Sequence, residues 1–217
     1  MPLEGRNLAF RYGDGPWVVR GFHITVRPGE IIGLSGPSGC GKTTIGRLLA
    51  GYDVPREGSV LLDGRPLPDN GYCPVQLIFQ HPEKAVNPRL RMKLTLNEGW
   101  EPSREFRSSM GIADEWLDRY PNELSGGELQ RFCVARALGP QTRYLIADEM
   151  TTMLDAVTQA QLWQAVLRVV RERQLGMLVV SHEGRLLQRL CDSVIRLDDS
   201  DTPAVPLASP PPATAGK

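Results

Sequence analysis

Glu30-Ile31-Ile32-Gly33-Leu34-Ser35-Gly36-Pro37-Ser38-Gly39-Cys40-Gly41-Lys42-Thr43 is an apolar run that breaks into a glycine-rich turn, and the amphipathic stretch Lys42 to Ala50 follows it. This order predicts a buried core strand, a loop and a helix. Gly36 to Thr43 also fits the pattern G-x-x-x-x-G-K-[ST] without a gap. Glycines let backbone N–H groups converge on phosphate oxygens, and the following helix turns its positive N-terminus toward the anion. Lys42 is placed to reach β- and γ-phosphates and the Thr43 hydroxyl to hold magnesium. Gly36, Pro37, Ser38, Gly39, Cys40, Gly41, Lys42, Thr43 and Thr44 are therefore candidate nucleotide contacts.

Downstream, the apolar Tyr144-Leu145-Ile146-Ala147 ends in Asp148-Glu149, which sets two acids at the carboxyl end of a core strand, where open α/β sheets bind ligands. Asp148 is assigned to magnesium through its water shell, and Glu149 to polarising the attacking water. Thr158 to Gln174 reads as a helix, Met177 to Val180 as a strand, Arg185 to Leu190 as a helix and Val194 to Leu197 as a strand. Such alternation predicts a parallel sheet with covering helices.

Upstream, Leu8, Phe10 and Tyr12 alternate, and Phe22, Ile24 and Val26 alternate again after the turn Gly13-Asp14-Gly15-Pro16. These predict half-buried antiparallel strands. Ser59 to Asp63 and Val75 to Phe79 are further strand candidates, with Asp63-Gly64 as a turn. Asn97 to Leu124 is more polar and helical, and reads as an insertion. Beyond Asp198 the chain is rich in Pro, Ala, Ser and Thr, and is expected to be disordered.

Composition limits the functional classes. The chain has 217 residues, with 25 Lys plus Arg against 25 Asp plus Glu, so no global field recommends nucleic acid or an anionic membrane as partner. Cys40, Cys73, Cys133 and Cys191 form no C-x-x-C pair, which argues against a zinc site or a redox dithiol. No basic segment followed by an apolar run opens the chain, and no stretch approaches the ~18 apolar residues of a membrane span. Work at a membrane would need another chain to cross it.

Leu124-Ser125-Gly126-Gly127-Glu128-Leu129-Gln130 stands between the phosphate loop and the two acids. Ser125 and Glu128 form a capping-box pattern ahead of the helix-prone Glu128 to Ala137. A capped helix N-terminus that presents free N–H groups is also an anion site, so both readings hold together.

With the phosphate loop, this heptad and Tyr144 to Glu149 in that order, the sequence resembles the ATP-binding cassette (ABC) ATPases. The resemblance spans about Leu3 to Leu197. It implies an α/β fold: a P-loop NTPase core with a mainly parallel sheet, an N-terminal antiparallel β-subdomain and an inserted helical subdomain at about 81–135. The ATPase domain would cover 1–198 and the tail 199–217. It further implies a head-to-tail dimer with a second ABC ATPase subunit, homo- or heterodimeric, in which Ser125, Gly126, Gly127 and Glu128 close over the ATP held by the partner's phosphate loop. Tyr12 resembles the aromatic residue that stacks on adenine, Gln80 the glutamine that contacts magnesium and water, Asp155 the dimer-facing aspartate and His182 the switch histidine at the γ-phosphate. Lys42, Gln80, Glu149 and His182 form the implied hydrolytic group, with Mg²⁺ held by Thr43, Gln80 and Asp148. Met150 and Met153 depart from the usual proline and small residue.

Phe79-Gln80-His81-Pro82, Asn87-Pro88-Arg89 and Ala156 to Gln161 are similar to the cassettes of peptide and nickel importers. The implied function is a transporter's ATPase, peripheral on the cytoplasmic face of the membrane. Its implied partners are transmembrane permease subunits and, through them, a solute-binding protein, with no nucleic acid. A groove beside Gln80, with Arg89, Arg91 and Met92, is expected to receive a short permease helix. The alternative is an accessory cassette of a soluble complex such as one that cleaves carbon–phosphorus bonds.

Overall fold

A computed structural model describes residues 1–197 and the backbone of residues 205–207. The N-terminal strands β1 (Leu3–Phe10) and β2 (Val19–Val26) pair antiparallel, with Leu3 opposite Val26 and Phe10 opposite Val19. The strand β3 (Ile31–Ser35) leads through the glycine-rich loop into α1 (Lys42–Leu49). Next come β4 (Glu57–Leu62), on the free side of β1, and the short β5 (Arg65–Pro66). Asp63 and Gly64 turn between these two strands with φ of 57° and 76°, which are the positive values that a tight hairpin turn requires. These strands form an antiparallel sheet in the order β2-β1-β4-β5.

Between β6 (Val75–Ile78) and β7 (Tyr144–Asp148) lie α2 (Met92–Leu96), α3 (Arg104–Ser109), α4 (Gly126–Ala137) and three single 3₁₀ turns. The polar stretch from Asn97 to Leu124 is thus mostly turns, with α3 as its only α-helix. Gly99, Pro102, Gly111 and Pro121 interrupt it, and neither residue type sustains a helix interior. The chain continues through α5 (Ala156–Glu172), β8 (Gly176–Val180), α6 (Gly184–Leu190), β9 (Ser193–Arg196) and β10 (Val205–Leu207).

The larger sheet has the order β10-β9-β3-β8-β7-β6, with β10 antiparallel to β9 and the other pairings parallel. Its central strands read as unbroken apolar runs because both faces are covered. Ile32, Leu34, Ile146, Leu178 and Val180 pack toward α1 and the antiparallel sheet, while Ile31, Leu145, Ala147, Met177 and Val179 pack toward α4, α5 and α6. Each large aliphatic side chain buried this way contributes roughly 1.5–3 kcal/mol. Leu34 and Asp148 both pair with Val180, so the strand ends that carry the loop and the acids lie level across the sheet.

The expectation of disorder after Asp198 falls outside the described residues, except that Val205–Leu207 extend the sheet as β10. Among the described residues no helix is long and apolar enough to cross a membrane.

Candidate active site

The phosphate loop closes on itself around a lysine. Gly41 has φ 95°, and a Cβ there would stand 2.7 Å from the Val18 carbonyl oxygen, so both backbone conformation and space require glycine. Lys42, only 7% exposed, donates from Nζ to the carbonyls of Gly36 at 2.9 Å and Pro37 at 2.7 Å, and lies 3.9 Å from Cys40 Sγ. Thr43 Oγ1 donates to Asp148 Oδ1 at 3.2 Å, which joins the first turn of α1 to the end of β7. Burial pushes the Asp148 carboxyl above its ordinary range and the nearby Glu149 adds to the rise, while the Thr43 hydroxyl and Lys42 oppose it. Hard oxygen donors and a carboxylate that gains from a nearby cation suit magnesium.

Glu149 follows with φ 46°, a left-handed conformation that costs a non-glycine residue about 1–3 kcal/mol. Its N–H donates to the Val180 carbonyl at 3.0 Å. Its carboxylate is held at both oxygens: Gln80 Nε2 donates to Oε2 at 3.0 Å, and His182 Nδ1 lies 3.1 Å from Oε1, a contact the carboxylate accepts when Nδ1 carries the proton. Gln80, Glu149 and His182, which are 69 and 33 residues apart in sequence, thus meet at one point. They line a cleft of about 760 Å³ together with Ser35, Gly36, Pro37, Ser38, Thr152 and Arg196. Thr152 and Arg196 were not singled out in the sequence. Arg196 lies within the predicted strand Val194 to Leu197, and it reaches the cleft because β9 ends at Arg196 beside Ser35, at the ligand-binding end of the sheet.

Tyr12 lies beyond the end of β1 and is 58% exposed, so the half-buried strand expected from the Leu8, Phe10 and Tyr12 alternation stops before it. Its hydroxyl stands 3.5 Å from Thr44 Oγ1, and its ring packs edge-on against Phe10 at 5.0 Å, so it stands beside the first turn of α1.

The Leu124–Gln130 heptad does not line this cleft. Ser125 caps α4 reciprocally: Glu128 N donates to Ser125 Oγ at 3.3 Å, and Ser125 N donates to Glu128 Oε2 at 2.6 Å. A Cβ on Gly127 would meet Thr158 at 3.3 Å and Leu154 at 3.4 Å, so the heptad rests on the start of α5. Asp155 caps that helix, accepting from the backbone N–H groups of Val157 and Thr158 at 3.0 Å and from the Thr158 hydroxyl at 2.6 Å. These bonds to Thr158 hold its carboxyl below the usual range. Gln130, 1% exposed, donates to the Phe79 carbonyl at 3.3 Å and so ties α4 to the segment that leads into Gln80.

On the face beside Gln80 a second cleft, of about 530 Å³, is lined by Tyr52, Tyr72, Phe79, Lys84, Glu98 and Arg136 among others. Met92, expected at a docking surface, is instead fully buried in the core. Arg91 is engaged with the Asp118 carbonyl and the Tyr120 ring.

A phosphate loop and its acids on level ends of a parallel sheet make this a P-loop nucleoside triphosphatase. The family model described as ABC transporter matches residues 19–152, and the chain belongs to that family of ATP-binding, ATP-hydrolysing subunits. It is 36% identical over 197 residues to the nickel import ATP-binding protein NikE of Rhodospirillum rubrum, covering 81% of this chain and 70% of that protein. Against NikE of Escherichia coli K12 it is 33% identical over 201 residues, covering 84% and 75%. Among solved structures it is similar to the dimeric ATP-binding cassette MJ0796 in a post-hydrolysis state bound to ADP and Pi, with a TM-score of 0.78, 22% identity and coverage of 94% and 97%. An ATP-binding subunit of an ABC transporter gives a TM-score of 0.80 at 21% identity, covering 96% and 90%. At these identities the structural likeness concerns the fold.

Proposed function

We propose that this chain hydrolyses ATP to drive import of nickel, a peptide or a similar solute through separate membrane subunits. The observation that carries the hydrolytic reading is the Glu149 carboxylate held between Gln80 and His182 at the mouth of the phosphate-loop cleft. In this reading the loop N–H groups and Lys42 bind the phosphates, Tyr12 stacks on the base and Glu149 accepts a proton as water attacks the γ-phosphorus and the bond to the ADP oxygen breaks. Gln80 and His182 orient the carboxylate and the water. Thr43 and Asp148, with Gln80, hold magnesium, which when bound neutralises phosphate charge. Catalysis is mainly positioning and charge stabilisation.

Ser125 to Glu128 and Asp155 lie outside the chain's own cleft and adjacent to one another, which supports a second subunit whose phosphate loop they complete. The nickel-import names of the two relatives support the solute class. The cleft beside Gln80 is the proposed seat of the permease helix. In cells lacking the native subunit, Tyr52→Ala with Lys84→Glu is expected to abolish uptake of radioactive nickel while the purified chain keeps its ATPase rate. Full uptake would remove this docking site. Absence of nickel uptake with the unaltered chain and its neighbouring permeases would remove the nickel reading.

Cys40 offers a test of the loop itself. Burial pushes the Cys133 thiol up to about 11 and that of Cys191 up to about 12, and also raises that of Cys73, so these three react slowly with alkylating agents. Alkylation is expected to fall on Cys40 and to block ATP binding, with Mg-ATP protecting it. Equal labelling with and without nucleotide contradicts this.

A further inference from the structure

The segment that carries Glu149 toward α5 is held from behind by one buried hydroxyl. Thr151 is 3% exposed, and its Oγ1 accepts from Gln159 Nε2 at 3.0 Å and from Trp163 Nε1 at 3.1 Å. These two donors are one turn apart on α5 and so face the same way. Trp163 is 5% exposed within the core that includes Leu162 and Val166, which fixes its ring. On the other side Thr152 lines the cleft, and its hydroxyl and N–H both donate to the Glu149 carbonyl, at 3.0 and 3.2 Å. The Thr151 carbonyl accepts from Leu154 N at 3.0 Å, which closes the next turn. One threonine therefore binds the segment to Glu149, and its neighbour binds it to a helix.

Glu149 needs such support. Its φ of 46° lies where an unrestrained glutamate does not stay, so the surrounding structure must hold it there. We infer that Thr151, with Gln159 and Trp163, positions Glu149, fixing the backbone that aims its carboxylate into the cleft. This rests on the reading of Glu149 as the residue that polarises water. None of the three contributes to the cleft lining, so they act through Glu149. Without the hydroxyl, the buried Trp163 N–H and the half-buried Gln159 amide lose their acceptor and the segment relaxes. The phosphate loop hangs from β3 and makes no hydrogen bond to these residues, so ATP binding is unaffected.

The test measures ATPase activity and ATP binding of the purified full chain carrying Thr151→Val, Thr151→Ser, Trp163→Phe, Glu149→Gln, or Glu149→Gln with Thr151→Val. A misplacement of about 1 Å costs on the order of 10²-fold, so Thr151→Val is expected to lower kcat by roughly 10–100-fold with KM for ATP unchanged. Thr151→Ser restores the rate, and Trp163→Phe, which leaves Gln159 as donor, loses less. In the Glu149→Gln background Thr151→Val adds nothing, since both act at one point. A wild-type kcat in Thr151→Val, or losses that multiply in the double variant, overturns the inference. Full turnover in Glu149→Gln overturns instead the reading of Glu149 on which it rests. If Thr151→Val does not fold, Trp163→Phe decides: a lowered kcat at unchanged KM supports the positioning role, and an unchanged kcat overturns it.

Discussion

Glu149→Gln is expected to slow ATP hydrolysis by roughly 10²–10⁴-fold and to leave ATP binding intact. The substitution keeps the shape of the side chain, removes its negative charge and its ability to accept a proton, and leaves one acceptor oxygen between Gln80 and His182. Gln80 and His182 still surround the position, the carbonyl contacts of the Thr152 turn are untouched, and Lys42 remains in its loop. Binding and turnover should therefore separate. Equilibrium binding of a fluorescent ATP analogue beside single-turnover hydrolysis measures both. Parallel loss of the two would mean that Glu149 supports the loop and not the reaction, and full turnover would remove it from the mechanism.

The second large effect is expected at Asp148, where stability and activity should move in opposite directions. Desolvation raises its folded-state pKa, so the folded chain binds the proton more tightly than the unfolded chain does. The sign follows: whatever Asp148 contributes to stability is present below its unfolded pKa and is lost as pH rises through the folded value. At neutral pH its buried charge works against the fold when no metal ion is bound, because Lys42 and the Thr43 hydroxyl offset only part of the desolvation. Asp148→Asn keeps an oxygen to accept from Thr43 and removes that charge. Its melting temperature without magnesium should rise, by about 2–4 °C for each kcal/mol regained, and the gain should shrink as pH falls toward the unfolded carboxylate value. Hydrolysis should fall by at least ~10²-fold, since this carboxylate is the proposed anchor for magnesium. A variant that melts lower in metal-free buffer would contradict the assignment of desolvation as the leading cause.

Much of this arrangement was legible because its signals are local. Ile31 to Thr43 carries strand, loop and helix in consecutive residues, and Tyr144 to Glu149 carries a buried strand with acids at its end. The capping box of Ser125 and Glu128 is likewise a local, four-residue pattern, and it forms as written. What the sequence could not show depends on tertiary registration. Leu34 and Asp148 become level only through their shared neighbour Val180, and Arg196 reaches the cleft only because β9 pairs with β3. Thr151 and Trp163 read as an ordinary loop threonine and a helix core residue, because a hydrogen bond across 12 positions leaves no periodicity. Met92 was misassigned for a related reason: an apolar residue at the start of a short helix carries no sign of which side the core lies on. Tyr12 continued an alternation that the backbone had already left.

Gly127 rests against Leu154 and Thr158, and Leu154 closes the turn begun by Thr151. Three stretches of chain meet there: the start of α4, the cap of α5 and the tether of Glu149. An edge built this way does not yield piece by piece. If a second subunit docks on Ser125 and Asp155 as proposed, it would also press on the seat of the proposed base, and its arrival would be felt at the reacting end of this chain before any residue in the cleft is touched.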